Sequence, residues 1–347
     1  MGNIAPKRNN SIDVMRLICA ILVVAIHTHP FYDISSELGV LGTIFIPRVA
    51  VPFFFCVSGY FFIKKIEEGT TNYWKTVNKV IKIYLFWSIP YLAINILGQV
   101  VDGVSVFKIV TENIINVLIK GSYYHFWYFP ALIISMIITL VIYKLGKLKL
   151  LLPISIGLYI IGCFLRTYYT FVQYIPGVSN FCDSIFFVPV RSILLMGIPY
   201  FCGGYLLNRL VNKELENKKK LVAVILVLCI LFLVEIVFVY KTNVYYNDIA
   251  VTFFLYPLVL SMILFLLKTP MNEDNRLTTI AEYSHKLANV IFYIHPLVKL
   301  IFVKAFKLLF NIRLEYTGLF LTTLVVSLTI GYILCKLNIK VINRFLV

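Results

Sequence analysis

The sequence predicts an all-α integral membrane protein, a bundle of about ten transmembrane helices, on three observations. Apolar blocks recur at about the length that crosses ~30 Å of hydrocarbon. Hydrophobic residues make up 60% of the 347 and charged residues only 14%, with a mean hydropathy of +0.89, far from the usage of soluble chains. The basic residues sit in short stretches between the blocks, which is topological information. The net charge of +16 therefore reads as membrane orientation, and no nucleic-acid partner is expected. The partner it implies is the lipid bilayer.

Taken in order, the predicted spans are about 12–31, 41–63, 80–101, 126–143, 150–166, 192–208, 221–240, 249–267, 281–303 and 317–336. They form a single transmembrane domain over 1–347, with no internal repeat, low-complexity run or soluble domain. The first span carries too many interior polar groups for a signal peptide and is expected to be retained. The fifth and sixth are the shortest. The sixth contains Pro199, Gly203 and Gly204, and kinks or partly broken helices are expected there. The seven cysteines are scattered, without metal or disulfide spacing.

Lysine and arginine set the orientation. The N-terminus, the stretches 64–79, 144–149, 209–220 and 268–280, the C-terminal 336–347 and Lys82 hold 20 of the 32 basic residues. Both termini are then cytoplasmic. The long loops at 102–125 and 167–191 lie on the opposite side, the first ending in an aromatic belt at Tyr123–Tyr128. The expected location is a cell (plasma) membrane, multi-pass.

The first span, IDVMRLICAILVVAIHTHPF, is apolar yet holds Asp13, Arg16, His27 and His29. Ionisable groups inside a membrane helix are functional candidates by default. Arg16 and His27 are eleven residues apart, almost three turns and roughly 16 Å along one face. Asp13 can pair with Arg16 at i,i+3. His27 is the candidate base or hydroxyl partner, and Arg16 the candidate grip on a phosphate or carboxylate. His29 points away from that face. The second span brings Arg48 into the membrane before Pro52, and Ser58 and Tyr60 follow in R-V-A-V-P-F-F-F-C-V-S-G-Y. His125, Trp127 and Tyr128 open the fourth span. His295 lies mid-segment in the ninth, before Pro296, which frees a backbone carbonyl. Arg48, Ser58, Tyr60, His125, Trp127, Tyr128 and His295 are the candidate binding residues. With Arg16 and His27 they predict a polar cavity lined by the first, second, fourth and ninth helices. Glu235 and Arg166 are further near-membrane charges without an assigned role. No phosphate loop, metal motif or nucleophile elbow occurs, and no metal site is predicted.

Several of these stretches together resemble the acyltransferase-3 family of membrane proteins. They are Arg16 with His27 after ten intervening residues, R-x-x-V-P-x-F-F-x-x-S-G-Y at 48–60, H-F-W-Y-F-P at 125–130 and Y-I-H-P at 293–296. The resemblance covers essentially the whole chain. Within that family the texture is most similar to the N-terminal membrane half of VanT-type serine/alanine racemases of glycopeptide-resistant bacteria. The resemblance implies one of two functions. In one, the domain binds or translocates a small amino acid such as L-serine for a cytoplasmic racemase domain. Arg16 or Arg48 then holds the carboxylate, and His27 the hydroxyl or a coupled proton. In the other, it is an O-acyltransferase using cytoplasmic acetyl-CoA, with His27 as general base. A soluble racemase domain and its pyridoxal phosphate site are absent from these residues, so racemisation is not expected from this chain alone.

The orientation is tested by single cysteines. Leu215→Cys is expected to react with an impermeant thiol reagent only from the cytoplasm and Ser179→Cys only from outside. The reverse pattern would overturn the assignment of Arg16 to the cytoplasmic end.

Overall fold

The computed structural model describes residues 9–69, 72–213, 218–242, 244, 249–271, 275–337 and 344–345; Leu215 lies outside them. The described residues form helices and no strand. Eight helices are long and apolar enough to cross a membrane, and two shorter apolar helices, Tyr128–Lys144 and Leu255–Lys268, fall on the remaining two predicted segments. The chain is therefore an integral membrane helical bundle. In order, the helices are α1 (Asn10–Thr28), α2 (Ser36–Glu67), α3 (Tyr73–Val101), α4 (Val106–Ile115), α5 (Tyr128–Lys144), α6 (Leu148–Thr167), α7 (Val178–Asp183), α8 (Phe187–Val211), α9 (Lys218–Thr242), α10 (Leu255–Lys268), α11 (Asn275–Phe310) and α12 (Tyr316–Leu337).

The departures from the predicted spans have local causes. Helix α2 starts at Ser36 because Ser35 caps it, its side chain accepting from the Leu38 amide. It then tightens into a 3-10 turn at Ile46–Val49 around Pro47. The fifth and sixth segments are not short. They are lengthened by π-helical stretches at Cys163–Thr167 and Val190–Gly197, the second lying just before Pro199. The irregularity expected there is real, but it takes the form of a wider helix. The short helices are instead α5 and α10.

The compact units are two. The first holds the described residues of Met1–Phe54, Lys213–Leu226 and Ser261–Val347. In it α1 packs along α11, and Ala20, Val24, Ala288 and Ile291 form a buried cluster flanked by Leu17, Phe54, Phe320 and Leu328. The start of α1 is pinned by polar groups. Ser11 Oγ donates to the Thr269 carbonyl at 3.0 Å and accepts from the Met271 amide at 2.9 Å, and Asn9 caps the helix through the Ile12 amide.

The second unit holds Phe55–Asn212 and Val227–Leu260. Its closest helix crossing is between α2 and α8. A Cβ at Gly59 would lie 1.9 Å from the Phe201 carbonyl oxygen, and one at Gly204 would lie 2.2 Å from the Tyr60 nitrogen, so only glycines permit the approach. Residues 102–125 are not a simple loop. Helix α4 and a π turn through Lys120 fold back along α3. Asn113 Nδ2 donates to Gln99 Oε1 at 2.7 Å, and Tyr84 to the Val117 carbonyl at 2.7 Å. Ser122 meets Ser88 at 2.7 Å and accepts from Asn95 at 2.9 Å. Helix α5 then continues toward the Tyr73 end of α3, where the rings of Tyr143 and Tyr73 stand 6.4 Å apart. Helices α4 and α5 thus make one discontinuous run beside α3, which is why α5 is short. The predicted aromatic belt is mostly interior: Phe126 and His125 are buried, and of Tyr123–Tyr128 only Tyr124 is exposed.

The eighth segment starts at Leu255 rather than 249 because of Glu235. Its buried carboxylate accepts from the Phe253 amide at 2.6 Å, the Phe254 amide at 3.0 Å and the Tyr168 hydroxyl at 2.5 Å. It caps the N-terminus of α10 from α9, where the helix dipole favours an anion. Residues 249–252 arrive outside any helix and buried. Arg166, also buried, points a guanidinium nitrogen at Met196 Sδ, 3.7 Å away. An unmade buried hydrogen bond costs about 1–3 kcal/mol, and Glu235→Ala orphans three donors. That variant is expected to melt well below the parent in detergent, with Glu235→Gln, which keeps one acceptor oxygen, in between. An unchanged melting curve for the alanine variant would show that the cap does not hold α10.

Candidate functional site

Helices α1 and α11 run side by side and parallel. Asn10 meets Thr278, Arg16 meets His285 and Lys299 meets the carbonyl of His27, at sequence offsets of 268, 269 and 272. A nearly constant offset means that both chains advance together along the seam. The ionisable residues of α1 are therefore matched, level by level, to those of α11.

At the first level, Arg16 Nη1 is 3.1 Å from Asp13 Oδ1 and 2.8 Å from His285 Nδ1, and that ring nitrogen is 3.2 Å from the same carboxylate oxygen. The predicted Asp13–Arg16 pair is present, and a histidine completes a triangle. One ring nitrogen either accepts from the guanidinium or donates to the carboxylate. The side chains of Arg16 and His285 stay partly accessible, at 20% and 17%, whereas Asp13 is nearly closed off at 5%. Asp13 is thus the anchor, and Arg16 the group presented outward.

At the second level, roughly 16 Å further on, the rings of His27 and His295 stack with centroids 5.4 Å apart and planes 20° apart. His295 Nδ1 is 2.9 Å from the Ile291 carbonyl and 3.1 Å from that of Phe292. Pro296 lacks the amide that would have bonded the Phe292 carbonyl, and the histidine ring takes its place. Because two carbonyls can only accept, Nδ1 carries the proton in neutral His295 and Nε2 carries the lone pair. Lys299 Nζ donates to the His27 carbonyl at 2.6 Å, holding the end of α1 where carbonyls lack helical partners. Lys299, His29 and Arg48 all lie within electrostatic range of His27. Beyond them α1 ends at His29, which adopts a left-handed φ of 54° and is exposed. Phe31, at φ 70°, is also left-handed, and its amide donates to Thr317 Oγ1 at 2.8 Å. His29 therefore belongs to a fixed turn just beyond the end of α1.

The remaining predicted residues belong to the second unit. Ser58 Oγ is 3.4 Å from the Tyr128 hydroxyl, and Phe55 lies between the rings of Trp127 and Tyr128, at 6.0 and 4.6 Å. His125 packs apart from these, against Tyr91 and Phe126 at 5.1 and 4.0 Å. Tyr60 is buried, and Asn208 donates to its carbonyl at 3.1 Å, an arrangement that ties α2 to α8. The first unit thus gathers Asp13, Arg16, His27, Arg48 and His295, and the second gathers Ser58, Trp127 and Tyr128. His285 and Lys299 escaped the sequence reading. Their signal was present, since both are ionisable residues inside the same apolar segment that singled out His295. Among the described residues no cluster of histidine, cysteine or carboxylate groups has the makings of a metal site. All seven cysteines are free thiols.

Comparison with known proteins bears on the same residues. A family model described as an acyltransferase domain matches residues 9–333. An amino-acid racemase of Enterococcus faecalis is 31% identical over 301 residues, covering 84% of this chain and 41% of that protein. A serine/alanine racemase of Enterococcus gallinarum is 28% identical over 267 residues, covering 73% of this chain and 37% of that protein. The chain thus spans well under half the length of these relatives. No solved structure matches it.

The triangle at Arg16 has a testable geometry. Arg16→Lys keeps the charge but not the planar fork that reaches Asp13 and His285 together. A hydrogen bond to a charged group is worth about 1.5–3 kcal/mol, so the variant is expected to melt below the parent in detergent. An unchanged melting curve would show that the lysine serves as well.

Proposed function

This chain belongs to the acyltransferase-3 family, and we propose that it binds or translocates a small amino acid such as L-serine to supply a cytoplasmic racemase. The observation that carries this reading is the pair of polar levels on one seam of apolar helices. Each level combines a permanent cation with imidazole: Arg16 with His285, then Lys299 and Arg48 with His27 and His295. An amino acid has a carboxylate for the cations, and an ammonium and hydroxyl for imidazole lone pairs. Two such levels roughly 16 Å apart suit a solute that is handed along a path better than one that is gripped once. The printed names of the Enterococcus relatives, an amino-acid racemase and a serine/alanine racemase, supply the substrate class. Their additional length leaves room for a racemase partner outside the matched region.

A second reading is favoured by the fixed tautomer of His295. A ring that holds its Nδ1 proton on carbonyls keeps Nε2 as a proton acceptor beside His27, as general-base chemistry requires. In that reading Arg16 engages the phosphates of acetyl-CoA, His27 takes the proton of an acceptor hydroxyl whose oxygen forms the ester bond to the acetyl carbonyl carbon, and the carbon–sulfur bond breaks to release coenzyme A as its thiol.

The experiment is binding of L-serine and, separately, of acetyl-CoA to the purified chain, followed by serine uptake and acetyl transfer in vesicles. Saturable serine binding, lost in His27→Ala and kept in His29→Ala with unchanged melting curves, is the expected result. Acetyl-CoA binding with transfer, falling ~10²–10⁴-fold in His27→Ala, would replace the first reading with the second. Equal losses at His27 and His29 would overturn both.

A further inference from the structure

Helix α4 is built inside out for a segment in water. Phe107, Val110, Ile114 and Leu118 stand at i, i+3, i+7 and i+11 and form a single stripe. All four are exposed, Phe107 at 80% and Leu118 at 66%. Asn113 faces the other way, with Ile109. Asn113 is buried and bonds Gln99, and Gln99 Nε2 donates to Glu112 Oε2 at 2.9 Å. A solvated helix would bury the large apolar side chains and present the amides.

We propose that this stripe is covered by the acyl chains of the membrane, so that 106–120 is the first half of a discontinuous crossing completed by α5. Three observations select lipid as the occupant. The segment descends along α3: Ser122 bonds Ser88 and Asn95, which lie 13 and 6 residues, or about 20 and 9 Å, from Val101. The stripe is continuous in character with the exposed apolar surface of α3 itself, where Ile89, Leu97 and Val101 point outward. The exposed ion pair of the segment, Lys108 with Glu112 at 3.7 Å, lies in its first half, and a lysine stem there can carry its ammonium to the head groups. Non-helical backbone at depth is tolerated where protein satisfies it. Here Tyr84 does so, accepting from the Ser122 amide at 3.0 Å.

The test uses the full chain in vesicles of phosphatidylethanolamine and phosphatidylglycerol. Single cysteines replace Phe107, Val110, Ile114 and Leu118 in turn and carry a nitroxide label, with the equally treated parent as background for its native thiols. Power saturation is measured with oxygen, which concentrates in hydrocarbon, and with a neutral nickel chelate, which stays in water. The oxygen-to-nickel ratio is expected to rise several-fold from Phe107 to Leu118. Nickel dominance at all four positions would make 106–120 an extramembrane loop and overturn the proposal. Exclusion of both reagents would also overturn it, because a protein surface would then cover the stripe. The stripe carries no residue assigned to ligand handling, so failure here leaves the reading of the α1–α11 seam untouched.

Discussion

Hydrocarbon offers no hydrogen bonds, and most of the irregularity in this structure is an answer to that constraint. A backbone group that leaves the helical ladder inside a membrane must find a partner within the protein, at a cost of several kcal/mol if it does not. The Phe292 carbonyl, released by Pro296, is taken by the ring of His295. The amides of Phe253 and Phe254, ahead of α10, are taken by Glu235. The break between α4 and α5 is lined by Tyr84, Ser88 and Asn95 of α3. In the last two cases a polar side chain on one helix supports an irregular stretch elsewhere in its unit, and in the first it mends its own helix.

The same constraint shapes the α1–α11 seam. Two parallel helices that advance together can hold ionisable groups at matched levels without exposing them to lipid. Asp13 neutralises part of the charge at the first level. At the second, stacking and the helix-end carbonyl of His27 accommodate two imidazoles and an ammonium. His295 is constrained twice, by the carbonyls on its Nδ1 and by the ring of His27. Its proton position follows from packing, which is the usual way in which proteins fix a tautomer.

How much of this was legible in the sequence depended on the range of the interaction. Apolar length alone located ten segments, and helical phase alone set Arg16 and His27 on one stripe and His29 off it. The Asp13–Arg16 pair is local and was equally plain. The partners on α11 lie 268 or more residues away, and although His285 and Lys299 stand out as ionisable residues in an apolar segment, no local pattern pairs them with α1. Glu235 was visible as a near-membrane charge, but its task is a tertiary cap for a helix that begins twenty residues later. Helix α4 was read as loop because Lys108, Glu112 and Asn113 lower its hydropathy. Those residues turn out to face α3 or to sit near the start of the segment, and hydropathy averaged along a chain is blind to which face a side chain occupies.

The break between α4 and α5 also bears on how the chain is assembled during synthesis. Neither piece makes a full-length crossing alone, and α4 carries amides that hydrocarbon would reject. The partners of residues 112–122, namely Tyr84, Ser88, Asn95 and Gln99, all lie earlier in the chain and are complete before that stretch leaves the ribosome. Helix α3 therefore serves as an intramolecular template, and the order of translation matches the order in which the pieces need one another. A rearranged chain that emitted α4 before α3 would present Asn113 and Glu112 to the membrane with nothing to receive them.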